Sequence, residues 1–139
     1  MQITGGCLCG DVRYEAKGDP AFQANCYCTD CRKLGGGHAS WMAIAQSDIS
    51  IAGSPEWFDS TSDRGTAVGR AFCRRCGVGL FGRNAGMAGM IFVRPSTLDD
   101  PAHFTPQMSI YASRAPHWDR PAADVPAFPE MPPMPEMAP

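Results

Sequence analysis

The sequence predicts a mainly β fold built from small antiparallel sheets, and three features carry that prediction. Fifteen glycines and thirteen prolines in 139 residues break the chain too often for long helices or a helical bundle. The apolar runs are short and alternate or cluster as strands do. The seven cysteines stand in three groups, so a covalent or metal staple can do what a small apolar core cannot.

Alternation marks Val12-Arg13-Tyr14-Glu15-Ala16 as a half-buried strand, and Ala39 to Ala45 and Met90 to Arg94 read as more fully buried ones. Shorter strand candidates are Glu56 to Ser60, Val68 to Cys73, Leu80 to Arg83 and Ser109 to Tyr111. Helical turns are expected at Thr29 to Leu34, stopped by Gly35-Gly36-Gly37, and at Ser47 to Ile49. Every glycine lies before residue 90, whereas residues 121–139 hold seven prolines, three methionines, three acids and no Lys or Arg. Residues 1–120 are therefore read as one compact domain and 121–139 as a Pro/Met-rich tail. Proline rules out helix or central strand there. The tail either hangs loosely or packs on the domain or on a second protomer, with Phe128 and the methionines as anchors.

A formal net charge of −2 and a pI near 5.8 argue against a phosphate-backbone binder. No apolar stretch approaches the ~18 residues of a membrane helix. The first ten residues, MQITGGCLCG, lack the basic start and apolar run of a signal peptide, so a cytoplasmic, reducing location is expected. In such a compartment clustered thiols hold metal more often than they form disulfides.

The groups are Cys7-Leu8-Cys9-Gly10, Cys26-Tyr27-Cys28-Thr29-Asp30-Cys31 and Cys73-Arg74-Arg75-Cys76-Gly77. Two short-spaced pairs, each followed by glycine, match a closed tetrahedral zinc site, so Cys7 and Cys9 are paired with Cys73 and Cys76. Such a closed site is structural. The middle group offers three thiolates, one short of closure, and three readings compete. His38 supplies the fourth ligand, or two of the thiols form a redox disulfide, or the fourth position stays open as in a catalytic zinc site. Open coordination is the favoured reading. Three thiolates on Zn²⁺ leave a formal charge of −1, which suits a soft thiolate ligand better than the generation of hydroxide.

The runs Gly5-Gly6-Cys7-Leu8-Cys9-Gly10-Asp11-Val12-Arg13-Tyr14, Cys26-Tyr27-Cys28-Thr29-Asp30-Cys31-Arg32 and Phe72-Cys73-Arg74-Arg75-Cys76-Gly77, with Ser96 to Pro101 further on, resemble the glutathione-dependent formaldehyde-activating enzyme family, whose domain is also called CENP-V/GFA. The resemblance runs from about Ile3 to Trp118. It implies an Mss4-like (β-tent) fold with two zincs, a structural one on Cys7, Cys9, Cys73 and Cys76 and a catalytic one on Cys26, Cys28 and Cys31. It also implies a carbon-sulfur lyase acting on a thiol-aldehyde adduct such as S-(hydroxymethyl)glutathione, with glutathione as a possible substrate. Histidines common in the family are replaced here at Tyr27 and in Ser109-Ile110-Tyr111.

Arg32 and His38 are the candidate substrate- or cofactor-binding residues beside the middle group. Arg32 can offset thiolate charge or bind a substrate carboxylate; His38 reads as a ligand, a proton shuttle or an ordinary strand-edge residue. Arg74, Arg75, His103 and His117 read as surface, and Trp41 and Trp118 as packing residues. The alternative to an enzyme is a non-enzymatic zinc module that binds a protein or nucleic-acid partner. A small thiol is the expected partner, nucleic acid and membrane are not, and the tail offers a route to an oligomer.

Overall fold

The computed structural model describes residues 2–132. In chain order its strands and helix are β1 (Gln2–Gly6), β2 (Arg13–Lys17), β3 (Phe22–Cys26), α1 (Thr29–Gly35), β4 (Ala39–Ala45), β5 (Ile49–Ala52), β6 (Glu56–Thr61), β7 (Ala67–Phe72), β8 (Gly79–Asn84), β9 (Met90–Val93) and β10 (Met108–Ile110). Short 3-10 turns lie between several of them. The mainly β class read from the sequence is what the chain adopts. Where the sequence suggests one core, the described residues gather into two compact units, each holding one of the cysteine clusters.

The first unit comprises the chain up to Ala21 together with Met42–Phe104. In β2 the alternation in the sequence is realised residue by residue, with Tyr14 and Ala16 buried and Arg13, Glu15 and Lys17 exposed. Antiparallel pairing places β2 between β1 and β5. A second antiparallel array runs from the end of β4 through β9, β8 and β7 to β6. One apolar cluster joins Ile3, Val12, Tyr14, Met42, Leu80, Phe81 and Val93, all almost fully buried, to Cys7 and Cys73. Tyr14 meets Phe81 edge-on, with ring centroids 5.5 Å apart. Its hydroxyl lies 2.8 Å from Thr97 Oγ1, so the buried phenol is satisfied. Burial pushes this phenol up to about 12, against the stabilising contact with Thr97. At the surface Arg13 grips both carboxylate oxygens of Asp99, and with Thr4 it holds that carboxyl down to about 2.

The strand β1 escapes the sequence reading because Gln-Ile-Thr-Gly-Gly carries two residues that weaken strands. Gly5 is nevertheless required. A Cβ there would collide with the Tyr14 hydroxyl and the Thr97 carbonyl oxygen. β1 can therefore lie against β2 only where this side chain is missing.

The second unit comprises Phe22–Trp41 and the chain from Thr105 onward. Phe22, Ala24 and Cys26 of β3 are buried while Gln23 and Asn25 are not, again a period of two. β3 runs beside β10 in parallel, Cys26 opposite Ile110, a departure from the all-antiparallel expectation. The connection from β3 to β10 is long, as a parallel pair requires. The chain after Pro121 then lies along the other side of β10. Ser109 N–H donates to Pro126 O at 2.8 Å, Phe128 N–H to Ser109 O at 2.8 Å and Ala112 N–H to Phe128 O at 2.9 Å. Proline is tolerated on this outer strand because it is an edge. Phe128 and Met131 are half-buried there, while Met134 and Met137 fall outside the described residues.

Gly5→Ala should destabilise the protein by about 1–3 kcal/mol, the range for overpacking, read as a lowered urea midpoint. A Tyr14→Phe background should not rescue it, because the ring Cζ and the Thr97 carbonyl oxygen still collide with the new methyl group.

Candidate metal centres

The four sulfurs of Cys7, Cys9, Cys73 and Cys76 lie within 4.8 Å of one another. Two of the separations are 3.7 Å, Cys7 to Cys9, and 3.6 Å, Cys9 to Cys73. A tetrahedron of sulfurs around zinc at about 2.3 Å has edges of about 3.75 Å, so the donor set has the size such an ion needs. Two equivalent turns build it. Cys7 N–H donates to Val12 O at 3.0 Å and Gly10 N–H to Cys7 O at 3.3 Å; Cys73 N–H donates to Val78 O at 2.9 Å and Gly77 N–H to Cys73 O at 2.8 Å. Gly10 and Gly77 take φ of 85° and 79°, the left-handed backbone that closes each turn and that other residues resist.

Within these turns backbone N–H groups point at sulfur, from Val12 to Cys7 at 3.3 Å and from Arg75 and Cys76 to Cys73 at 3.4 and 3.5 Å. Val78 N–H draws the Cys76 thiol down to about 6. Cys7 is also lowered: burial opposes it, but Val12 N–H and the Cys73 and Cys9 sulfurs prevail. Cys9 goes the other way, to about 12; Asp11 N–H favours its thiolate, but burial and the three neighbouring sulfurs outweigh that. Four thiolates at this spacing need a cation among them.

The second cluster, Cys26, Cys28 and Cys31, also has its sulfurs within 4.8 Å of one another. Cys26 ends β3, and Cys28 is the N-cap of α1, its sulfur accepting from Cys31 N–H at 3.3 Å. The helix stops where Gly36, left-handed at φ 80°, donates its N–H to Arg32 O. Seven residues are too few for a helix to stand alone, so α1 depends on this anchorage. The Cys26 thiol is raised strongly by its contacts with Cys28 and Cys31 and by burial. Cys31 benefits from Cys26 but is pushed up to about 11 by Cys28 and burial; the Trp41 indole N–H works against that rise. Trp41, read from the sequence as a packing residue, is thus a donor to a site sulfur. A cation among these sulfurs would favour their thiolate forms.

Of the flanking candidates, Arg32 lies half-buried on α1 immediately after Cys31. His38 is not among the clustered ligands; its Nδ1 lies 2.8 Å from Asp119 Oδ2, and its ring lies over Tyr27 with centroids 4.9 Å apart. Tyr27 is itself almost wholly buried, its phenol raised by burial and by the charge of Asp119. Asp119 was invisible to sequence reasoning, since eighty-one positions separate it from His38. Arg74 and Arg75 are largely exposed, 3.1 Å from Glu56 and 3.4 Å from Asp11. His103 lies 3.8 Å from Asp100, and Trp118 is exposed.

Residues 2–114 match the family model of the glutathione-dependent formaldehyde-activating enzyme. The chain belongs to this GFA family. A Halomonas elongata protein, provisionally named a glutathione-dependent formaldehyde-activating enzyme, is 32% identical over 87 residues, which is 58% of this chain and 55% of that protein. The chain thus spans about half the length of this curated relative. The crystal structure of a Rhodobacter sphaeroides protein superposes with a TM-score of 0.56 at 24% identity, covering 69% of this chain and 87% of that one. This likeness is one of fold. Among the described residues, no helix is long and apolar enough to cross a membrane.

Cys73→Ser should release one metal and abolish cooperative thermal unfolding, because a fourth of the first donor set is lost from within the main apolar cluster. Metal content and a melting curve on the same sample test it. A strong chelator, which strips every bound metal, should likewise abolish the cooperative unfolding of the unchanged protein.

Proposed function

We propose that this chain is a two-zinc carbon-sulfur lyase that makes or breaks a bond between a small thiol and an aldehyde, with S-(hydroxymethyl)glutathione as the type of adduct. The observation that carries the reading is the difference between the clusters: four cysteines in one, three in the other. Four thiolates close a tetrahedron and suit a structural zinc, whereas three leave a position for substrate. Membership of the GFA family supports the same chemistry.

Cys26, Cys28 and Cys31 would hold the catalytic ion, and Cys7, Cys9, Cys73 and Cys76 the structural one. A zinc in the three-cysteine site supplies a Lewis acid for carbonyl oxygen and favours the thiolate form of an incoming thiol. The protein's own contribution is positioning. β3 and the first turn of α1 fix the three sulfurs, Cys31 N–H and the Trp41 indole spread their charge, and Tyr27, between Cys26 and Cys28 in sequence, is buried against His38. Three thiolates and one divalent cation sum to a formal −1, so a cationic neighbour helps an anionic substrate approach. Arg32, one residue past Cys31, is the nearest candidate in sequence.

Turnover is read by exchange NMR of the thiol-aldehyde adduct, starting from glutathione with formaldehyde and extending to other small thiols and aldehydes. Cys31→Ser should lose one of two zincs and at least about 100-fold in kcat/KM, on the scale of removing a principal catalytic group, while keeping its β fold by circular dichroism. A fully active Cys31→Ser enzyme would refute the assignment. A chain that holds one zinc and turns over no adduct would be a structural module.

A further inference from the structure

Resting on the lyase reading just given, we infer that His38 carries the proton of the reaction and that Asp119 is the positioning residue that makes it able to do so. Within the second unit, His38 Nδ1 lies 2.8 Å from Asp119 Oδ2. A carboxylate accepts, so the ring nitrogen facing it must carry the hydrogen. In the neutral imidazole that leaves Nε2 with a free lone pair.

Three further features keep this pair in one geometry. The His38 ring is stacked on Tyr27 at 4.9 Å with 32° between the planes. Tyr27 is 2% exposed and stands between two cysteines of the cluster, so it ties the imidazole to the backbone that holds the sulfurs. The Asp119 carboxylate lies in the space a side chain at residue 37 would fill: a Cβ on Gly37 would collide with Asp119 Oδ2. Glycine at 37 is thus a condition for the His38–Asp119 contact. The pair is nonetheless reachable, with side chains 32% and 25% exposed. The charged and titratable groups around it are Asp119 itself, the Tyr27 phenol and the Arg120 guanidinium, which offsets the effect of Asp119 on Tyr27.

The chemistry needs such a group. Joining R–SH to R′–CHO breaks the S–H bond, forms the C–S bond, converts C=O to C–O and moves one proton from sulfur to oxygen, giving R–S–CH(OH)–R′ with no redox change. His38 Nε2 takes that proton from the thiol and returns it to the new alkoxide; the reverse reaction runs the same transfer backwards. Every atom of the adduct comes from the two substrates.

Two measurements decide the matter. Nitrogen-15 NMR of the metal-loaded protein should show His38 as the Nδ1–H tautomer, and Asp119→Asn should lose that single tautomer. His38→Gln should retain both metals and a KM within a few-fold of the unchanged enzyme while kcat falls about 100-fold or more. Added imidazole should restore part of the activity of His38→Ala, which a purely structural histidine would not allow. An Nε2–H tautomer in the unchanged protein overturns the inference, as does His38→Gln with full activity. Loss of a metal in His38→Gln overturns it too, by making His38 a ligand. If the unchanged enzyme turns over none of the thiol-aldehyde pairs, the lyase reading fails and the role of His38 in it falls as well. An active enzyme beside an equally active His38→Gln removes the role of His38 alone.

Discussion

Thiolate sulfurs crowded to within 4.8 Å of one another repel, and the structure answers that constraint in each of its units. The first cluster gathers backbone N–H groups from two matched turns, each closed by a left-handed glycine. The second uses the N-cap of a short helix and an indole N–H. These donors lower the cost of negative charge but do not cancel it, as the raised Cys9, Cys26 and Cys31 thiols attest. A cation held among the sulfurs would complete what the backbone begins. The order of the first unit follows, because Cys7 and Cys73 belong to its apolar cluster as well as to its donor set.

Much of this was legible before any coordinates. Spacing and trailing glycines alone paired Cys7 and Cys9 with Cys73 and Cys76, since turn chemistry is local and leaves a local mark. Strand β4 is legible to its last residue and β2 to within one, because β2 alternates without a break and β4 is a largely apolar run bounded by His38 and Gln46. The failures have physical causes. β1 ends in two glycines whose value lies in collisions they avoid, Gly5 with Tyr14 and the Thr97 carbonyl and Gly6 with Val12 and Arg13, none of which a local sequence pattern reveals. β3 does alternate, but its buried positions are an alanine and a cysteine beside a single Phe, too little apolar mass to stand out.

The tail illustrates how composition constrains without deciding. Its prolines exclude a central strand, and the described part does lie at an edge, beside β10. Composition could not say that five backbone hydrogen bonds would dock it there, because four of them set tail carbonyl oxygens, which proline keeps, against the N–H groups of Ser109, Tyr111, Ala112 and Ser113, and only Phe128 supplies a donor. A proline-rich segment reads as loose when only its missing donors are counted. Counting its acceptors gives the opposite expectation wherever an unpaired strand edge is near.

The two clusters also show why donor number matters more than donor type. All seven ligands are cysteine, so softness alone cannot separate a structural from a catalytic centre. Charge and geometry can. Four thiolates about a divalent ion give a formal −2 and a filled tetrahedron, which neither attracts nor admits an anionic substrate. Three would give −1 and a position to spare, and in the proposed reaction an entering thiolate would restore the closed electrostatic state of the other site. Under the proposed reaction each encounter would have to dispose of the thiol's proton, which none of the thiolates could take without loosening its hold on the ion. In the proposed reaction the accepting group is a nearby residue that is not a ligand. Among the described residues, His38 is the histidine tied to this cluster through Tyr27, with Asp119 fixing which of its nitrogens is free.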